Sequence, residues 1–267
     1  MSAGEDEMIS ATPFADHVAR LVGLRVLVCL HVDAVESAAG RHLNDLRRCI
    51  GDAVVSMLDR SACTVALVSA RSRADLERWL PSPDERVLYL GRDGLERSAH
   101  SYIDLDADEH ARLDVLHDDL DTFAASRPGV RVLGWNAGAT VTASDPAAAC
   151  HLSDVVELIV EHYHGIEVRS NARSVEVRLR PLDRAAVIHD QRMQSHCDSI
   201  AYFGGDSQDE AIFRSMSTTD VGIGIGVSPW SHAKVRATAA EIPEYLDAVR
   251  RVSRQLRPQG QPTPRVS

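Results

Sequence analysis

Residues 25–32 read RVLVCLHV, an apolar run with no alternation. A strand with one wet face alternates apolar and polar side chains, because successive side chains point to opposite faces. This run does not, so both of its faces are covered, as in a parallel sheet flanked by helices. Comparable runs recur at 63–68, 86–90, 199–203 and 221–227. Between them the apolar spacing is helical, over 41–58, 74–80 (stopped by Pro81), 184–195, 209–216 and 241–256. Alternating strand and helix predict an α/β fold, a doubly wound parallel sheet with right-handed crossovers.

The middle of the chain breaks this rhythm. Residues 109–124 and 154–162 have helical spacing. Residues 130–134 and 139–143 resemble a hairpin around Gly138, and 174–180 (SVEVRLR) alternates as a half-buried strand. Two helices and about four strands predict a small α+β cap inserted into the core. The expected division is an N-terminal extension over 1–20, a core over 21–105 and 181–256, a cap over 106–180, and a Pro/Gln-rich disordered tail over 257–267.

Composition removes several function classes. With 267 residues, 44% of them hydrophobic, the chain can bury a large core with an inserted smaller one. A net charge of −10 argues against nucleic-acid binding. No run approaches the roughly 20 apolar residues of a membrane span, and no apolar leader follows Met1. Cys29, Cys49, Cys63, Cys150 and Cys197 are scattered without a C-x-x-C pair. Reduced thiols and a cytoplasmic location are expected.

The chemistry concentrates in residues 199–213. An apolar strand runs into Gly204-Gly205, then Asp206, Asp209 and Glu210, then a helix. That is the layout of a phosphate and Mg²⁺ site at the carboxyl end of a parallel strand. The segment resembles the Gly-Asp-Asp-x-Thr-Asp-Glu motif of the trehalose-6-phosphate phosphatases, a family of the haloacid dehalogenase (HAD) superfamily. Gly205 stands where that family places its first Asp.

The resemblance covers roughly residues 20–255 and implies four strand-end sites. At the first, the family reads Asp-x-Asp-Gly-Thr and this chain reads His31-Val32-Asp33-Ala34-Val35. Asp33 is then the acid/base, and His31 stands in the nucleophile position. At the second, Ser69-Ala70-Arg71 and Asp75-Leu76 match Ser-Gly-Arg-x-x-x-Asp-Leu, which implies phosphate binding by Ser69 and Arg71; a helix cap is the plainer role for Ser69 or Ser72. At the third, Arg184 stands for the phosphate-clamping lysine, a planar fork in place of a point charge. At the fourth, Gly205 lacks the carboxylate that would touch the metal directly, and Asp206, Asp209 and Glu210 remain near the metal mostly as charges behind its direct ligands or at the helix N-terminus.

The family's cap grips sugar with charged residues, and Trp135 and Asn136 occupy part of that stretch here. Imidazole is neutral near pH 7 and offers Mg²⁺ no carboxylate oxygen. With Gly205 also lacking one, the implied Mg²⁺ is expected to bind weakly or not at all. A rebuilt Zn²⁺ or Mn²⁺ site on His31, Asp33, Asp206 and Asp209 is an alternative.

Other motifs carry less. Asp104, Asp106 and Asp108 begin like a Ca²⁺ loop, but Glu109 and Val115 fill the positions that need Gly and Glu. His162 and His164 lie two apart and do not share a helix face. His189 and His196 have no third ligand nearby in sequence. Two functional expectations follow from the resemblance. One is hydrolysis of a sugar phosphate. The other is a pseudophosphatase that has lost its nucleophile and metal, binds a sugar phosphate, a related small ligand or a protein partner, and regulates trehalose metabolism.

Overall fold

The computed structural model describes residues 14–97, 105–171, 174–179 and 183–255. The expected tail at 257–267 and the first 13 residues of the expected extension lie outside them. The chain divides into two compact units, residues 1–98 with 184–267, and residues 99–183.

In chain order the elements begin with α1 (Phe14–Val18), β1 (Val26–His31), α2 (Val32–Ala39), α3 (Leu43–Arg60), β2 (Thr64–Val68), α4 (Arg73–Trp79) and β3 (Val87–Leu90). The inserted unit holds α5 (Ala107–Ala125), β4 (Val130–Trp135), β5 (Gly138–Ala143), α6 (Pro146–Ala149), α7 (Leu152–Val160), β6 (Glu167–Asn171) and β7 (Ser174–Arg178). The first unit resumes with α8 (Arg184–Gln194), β8 (Ser199–Gly204), α9 (Asp209–Ser215), β9 (Val221–Ile225), β10 (Val235–Ala237) and α10 (Ile242–Val252).

Six strands of the first unit form a parallel sheet in the order β10-β9-β8-β1-β2-β3. Every residue of β1, β2, β8 and β9 is buried. That is why these strands read as unbroken apolar runs. Val28, Leu30, Val65, Leu67 and Phe203 meet Ile50, Val54 and Met57 of α3 and Leu246 and Val249 of α10 in one core. Phe14 of α1 stacks on Tyr245 of α10 with ring centroids 3.8 Å apart.

Register aligns the strand ends. His31 pairs with Val68, Leu30 with Phe203, and Gly204 with Gly224. The carboxyl ends of β1, β2, β8 and β9 therefore open on one edge. Strand order reverses between β1 and β8, the switch point where open α/β sheets bind ligands.

The inserted unit is a four-stranded antiparallel sheet in the order β4-β5-β7-β6. Leu113, Leu116 and Leu120 of α5 and Val156 of α7 pack with Val141, Val175 and Val177 of its strands. Its hairpin turns at Asn136-Ala137, because Trp135 pairs with Gly138. Gly138 is a point of close approach, since a Cβ there would lie 2.0 Å from the Val177 carbonyl oxygen. Asp106, expected at most as a Ca²⁺ ligand, caps α5 in a reciprocal capping box with Glu109.

Several elements depart from the sequence expectation, among them α1, α6 and β6, for which no stretch is assigned from the sequence. α2 follows β1 without a loop, its first turn carrying Asp33. β10 is three residues long, too short for a periodicity to register. α10 stops at Val252, and the side chain of Ser253 turns back to the Arg250 carbonyl. No helix among the described residues is long and apolar enough to cross a membrane.

Candidate functional site

The switch point gathers side chains from β1, α2, α8, β8 and α9 and from the segments that follow β2, β3 and β8. His31 ends β1 and is 1% exposed. Its Nδ1 donates to Asp209 Oδ2 at 2.9 Å and lies 3.7 Å from Asp206 Oδ2. Its Nε2 lies 3.6 Å from Asp33 Oδ2, an ion-pair distance. Burial works against a charge on the ring. The hydrogen bond to Asp209 and the neighbouring Asp33 outweigh burial and push the His31 pKa up to about 9. Sequence alone reads the ring as neutral near pH 7; the three carboxylates around it in the fold favour the protonated form.

Asp209, fully buried in the first turn of α9, collects donors from all sides. Oδ1 accepts from Tyr202 Oη at 2.6 Å and from Arg184 at 2.8 Å. Oδ2 accepts from His31 and from the backbone N–H groups of Gly205 and Asp206 at 2.6 and 2.9 Å. Burial raises its pKa, but His31, Arg184 and Tyr202 hold the carboxyl well below the usual range. Burial pushes the Tyr202 hydroxyl well up, so it stays a phenol and a donor.

Arg184 opens α8 and is 5% exposed. Besides Asp209 it reaches Asp93 Oδ1 at 2.7 Å and Asp206 Oδ2 at 3.2 Å. Asp93 adopts a left-handed φ of 57°, which Asp tolerates better than most residues. Asp206 is 40% exposed, and its Oδ1 accepts from the backbone of Gln208 and Asp209, which anchors the start of α9.

Ser69, Ala70 and Arg71 face Asp33. Asp33 Oδ2 accepts from Ser69 Oγ at 2.8 Å and from the Ala70 N–H at 2.9 Å, and its Oδ1 lies 3.3 Å from Arg71 Nε. Burial raises the Asp33 pKa, but His31, Ser69 and Ala70 lower it to about 2. Arg71 also pairs with Glu36. Ser69 does not cap a helix; Ser72 caps α4 by accepting from the Asp75 N–H.

The structure therefore brings together His31, Asp33, Ser69, Arg71, Arg184, Asp206 and Asp209. Trp135 and Asn136 sit in the other unit at the β4–β5 turn, with Trp135 9% exposed against Gly138. Sequence reasoning passed over Tyr202, Glu36 and the pairing of Asp93 with Arg184. A single phenol in an otherwise apolar strand was the available signal for Tyr202. His189, considered for metal, lies 2.9 Å from Ser215 Oγ instead.

His31, Asp206 and Asp209 offer ligand atoms that all lie within 4.8 Å of one another. The donor set does not fit Mg²⁺, which takes about six oxygens in near-octahedral geometry. One member is an imidazole nitrogen rather than an oxygen. Asp209 already holds five donors on a carboxylate with about four lone-pair sites. Gly205 cannot carry a carboxylate as the backbone stands, since a Cβ would lie 2.3 Å from the Ile225 carbonyl oxygen. Zn²⁺ or Mn²⁺ would have to displace both the Nδ1 proton and the Arg184 guanidinium.

An imidazole ring stands at the end of β1, where the family that the motifs resemble places a carboxylate. A general acid needs a pKa near the working pH, and Asp33 is tuned the other way. The oxyanion donors Ser69 Oγ and Ala70 N–H are directed at Asp33. A pocket of about 340 Å³ opens beside His31, Asp33, Gly205 and Asp206. A larger cleft, about 740 Å³, lies at the amino ends of the strands near Arg25 and Thr64 and holds no comparable constellation.

No protein-family model matches the chain, and no curated protein matches it. Solved structures do. A trehalose-6-phosphate phosphatase related protein superposes with a TM-score of 0.59 at 16% identity, over 85% of this chain and 97% of that one. The fold is that of the HAD-like hydrolases. A haloacid dehalogenase-like hydrolase from Bacteroides thetaiotaomicron gives a TM-score of 0.58 at 14% identity, over 84% of this chain and 99% of that one. The C-terminal domain of a Candida albicans trehalose synthase regulatory protein gives 0.55 at 13% identity, over 88% and 97%. At such identities the HAD-like likeness speaks for the fold, and the residues of this chain must speak for its chemistry.

Proposed function

We propose that this chain is a trehalose-6-phosphate phosphatase-like HAD protein that has given up phosphomonoester hydrolysis. It acts in the cytoplasm as a binding and regulatory protein of trehalose metabolism, and its partner is a sugar phosphate, a related small ligand or a second protein. The observation that carries this reading is the buried His31 ring, bonded to Asp209 at one nitrogen and 3.6 Å from Asp33 at the other. An imidazole stands where a carboxylate nucleophile is required, and it occupies the carboxylates a metal would use. The motif resemblance supports the family reading, and a regulatory protein among the structures with this fold is in keeping with a non-hydrolytic role.

A hydrolytic reading has one observation in its favour. Asp33, Ser69, Arg184 and Asp209 do converge on the switch point, as the resemblance implies. Phosphate release from trehalose-6-phosphate separates the two. Purified protein is assayed with Mg²⁺, Mn²⁺ and Zn²⁺ in turn, beside His31→Ala. No release above the uncatalysed rate is expected. Release by the unmutated protein that disappears in His31→Ala would overturn the reading.

A further inference from the structure

The loop between β9 and β10, residues 226–234, carries the most exposed large apolar side chain among the described residues. Trp230 is 89% exposed, against 5% for Trp79 and 9% for Trp135. An indole offers roughly 150–250 Å² for burial, and a soluble chain gains nothing by leaving it in water.

The loop that presents it is braced. Glu210 Oε2 accepts from the His232 N–H at 3.0 Å and lies 3.0 Å from His232 Nδ1, which ties the loop to the first turn of α9. The Trp230 N–H donates to Ser228 Oγ at 3.3 Å, and the Ala233 N–H to Ser231 Oγ at 3.1 Å. Arg236 bonds the Pro229 carbonyl. These bonds hold the loop backbone, so that the indole has only its own two side-chain torsions to lose when a ligand settles on it.

Trp230 walls a cleft of about 540 Å³ with Asp206, Glu210, Arg214, Ser228 and His232. Gly205, Asp206 and Gly226 line both this cleft and the pocket beside His31, so the two are contiguous. We infer that this cleft is a binding subsite for an unphosphorylated pyranose ring, stacked on the Trp230 indole with its hydroxyls bonded to Asp206, Arg214 and the Glu210–His232 pair.

The chemistry selects this class of ligand. One face of a pyranose presents a patch of C–H bonds, which fits one aromatic face. Its edge presents paired hydroxyls, each both donor and acceptor, which fit carboxylates, a guanidinium and serines. A protein hot spot would be ringed by other apolar residues, whereas Val227 is the one aliphatic side chain of this wall. A phosphate would meet the two carboxylates of Asp206 and Glu210, which repel it, against Arg214 as the one guanidinium of this wall. The subsite goes beyond the regulatory reading, because it holds whether or not the His31 centre turns over.

Trp79 and Trp135 are buried, so the solvent-quenched part of the tryptophan emission reports on Trp230 alone. The test titrates the full chain with glucose, trehalose and glucose-6-phosphate at millimolar concentrations. Emission and acrylamide quenching are followed, with saturation-transfer NMR on the sugar ring protons. Expected are a blue shift, at least twofold protection from quenching, and transfer to the ring C–H protons, with the unphosphorylated sugars at least as effective as the phosphate. Trp230→Ala, a surface change, should remove the transfer, and Trp230→Phe should retain part of it. No response to any sugar, an equal transfer in Trp230→Ala, or a response confined to glucose-6-phosphate would each overturn the inference. Because phosphate release is assayed separately, failure here is distinguishable from failure of the regulatory reading.

Discussion

His31 Nδ1 and Asp209 Oδ2 are 2.9 Å apart, with His31 1% exposed and Asp209 fully buried. The pair joins the last residue of β1 to the first turn of α9, 178 positions later in the chain. In the family that the motifs resemble, a metal would supply positive charge between these strands. Here His31 and the Arg184 guanidinium both bond Asp209. Four carboxylates, Asp33, Asp93, Asp206 and Asp209, lie against these two side chains.

Removing the imidazolium should therefore be expensive. His31→Gln leaves Asp209, Asp206 and Asp33 with Arg184 as the remaining buried cation beside them. Breaking a buried pair by deleting one partner typically costs about 3–5 kcal/mol. Urea unfolding should show a loss of that order with an unchanged denaturant slope. Asp209→Asn should cost a similar amount, and the double variant less than the sum, because the two act on one interaction. A loss under about 1 kcal/mol in His31→Gln would mean that the pair is ornamental.

The same pair makes stability depend on pH in the neutral-to-alkaline range. The His31 pKa rises from its ordinary 6.5 to about 9 on folding. The folded state therefore binds the proton more tightly than the unfolded chain. The stabilisation is complete below about pH 6.5 and is lost as pH rises through about 9. At roughly 1.4 kcal/mol per unit it amounts to roughly 3 kcal/mol. Asp33 behaves oppositely. Its pKa falls from 3.8 to about 2, so its contribution is present above pH 4 or so and fades as pH drops toward 2. Unfolding free energies measured between pH 6 and pH 10 should decline in the native chain and flatten in His31→Gln. The imidazole C–H resonance should titrate near pH 9; a midpoint near 6.5 would refute the imidazolium assignment.

Gly205→Asp restores the residue that the resemblance calls for, yet it should not restore a metal site. The new Cβ would lie 2.3 Å from the Ile225 carbonyl oxygen, a backbone atom that cannot rotate away. The ends of β8 and β9 must part, and overpacking of this kind costs about 1–3 kcal/mol. The variant should melt lower, and Mg²⁺ should not rescue it. His31→Asp combined with Gly205→Asp should likewise release no phosphate. A variant as stable as the parent, or one that gains Mg²⁺-dependent turnover, would contradict the packing argument.

Gly205 also marks the limit of what sequence discloses. The unbroken apolar strands made the parallel sheet legible, since burial on both faces leaves a direct trace in composition. The convergence of Asp33, Ser69, Arg184 and Asp209 was legible from motif order, because each residue follows or opens an element at the sheet edge. What Gly205 does was not legible. As a letter it is a missing carboxylate, and its contact with Ile225 exists only once β8 and β9 are paired. The charge on His31 was hidden for the same reason, since an imidazole's pKa is set by neighbours up to 178 positions away. Trp230 was overlooked because a loop aromatic has no periodicity to report its exposure. Trp135 drew notice instead by its place in the hairpin, where it is buried against Gly138.

Mg²⁺ itself offers the sharpest remaining check. A ligand that binds only the folded state adds RT ln(1 + [L]/Kd) to stability. For a 1 mM site at 10 mM Mg²⁺ that is about 1.4 kcal/mol, or roughly 3–6 °C in melting temperature for a chain of this size. The five donors already on Asp209 and the protonated His31 leave no oxygen cage to provide it. The melting temperature should move by less than about 1 °C in 10 mM Mg²⁺. Heat of binding should be absent by calorimetry, in the native chain and in Asp206→Asn alike. A saturable rise of several degrees in the native chain, lost in Asp206→Asn, would show that the metal displaces Arg184 or the His31 proton, and that the centre is not closed by its own cations.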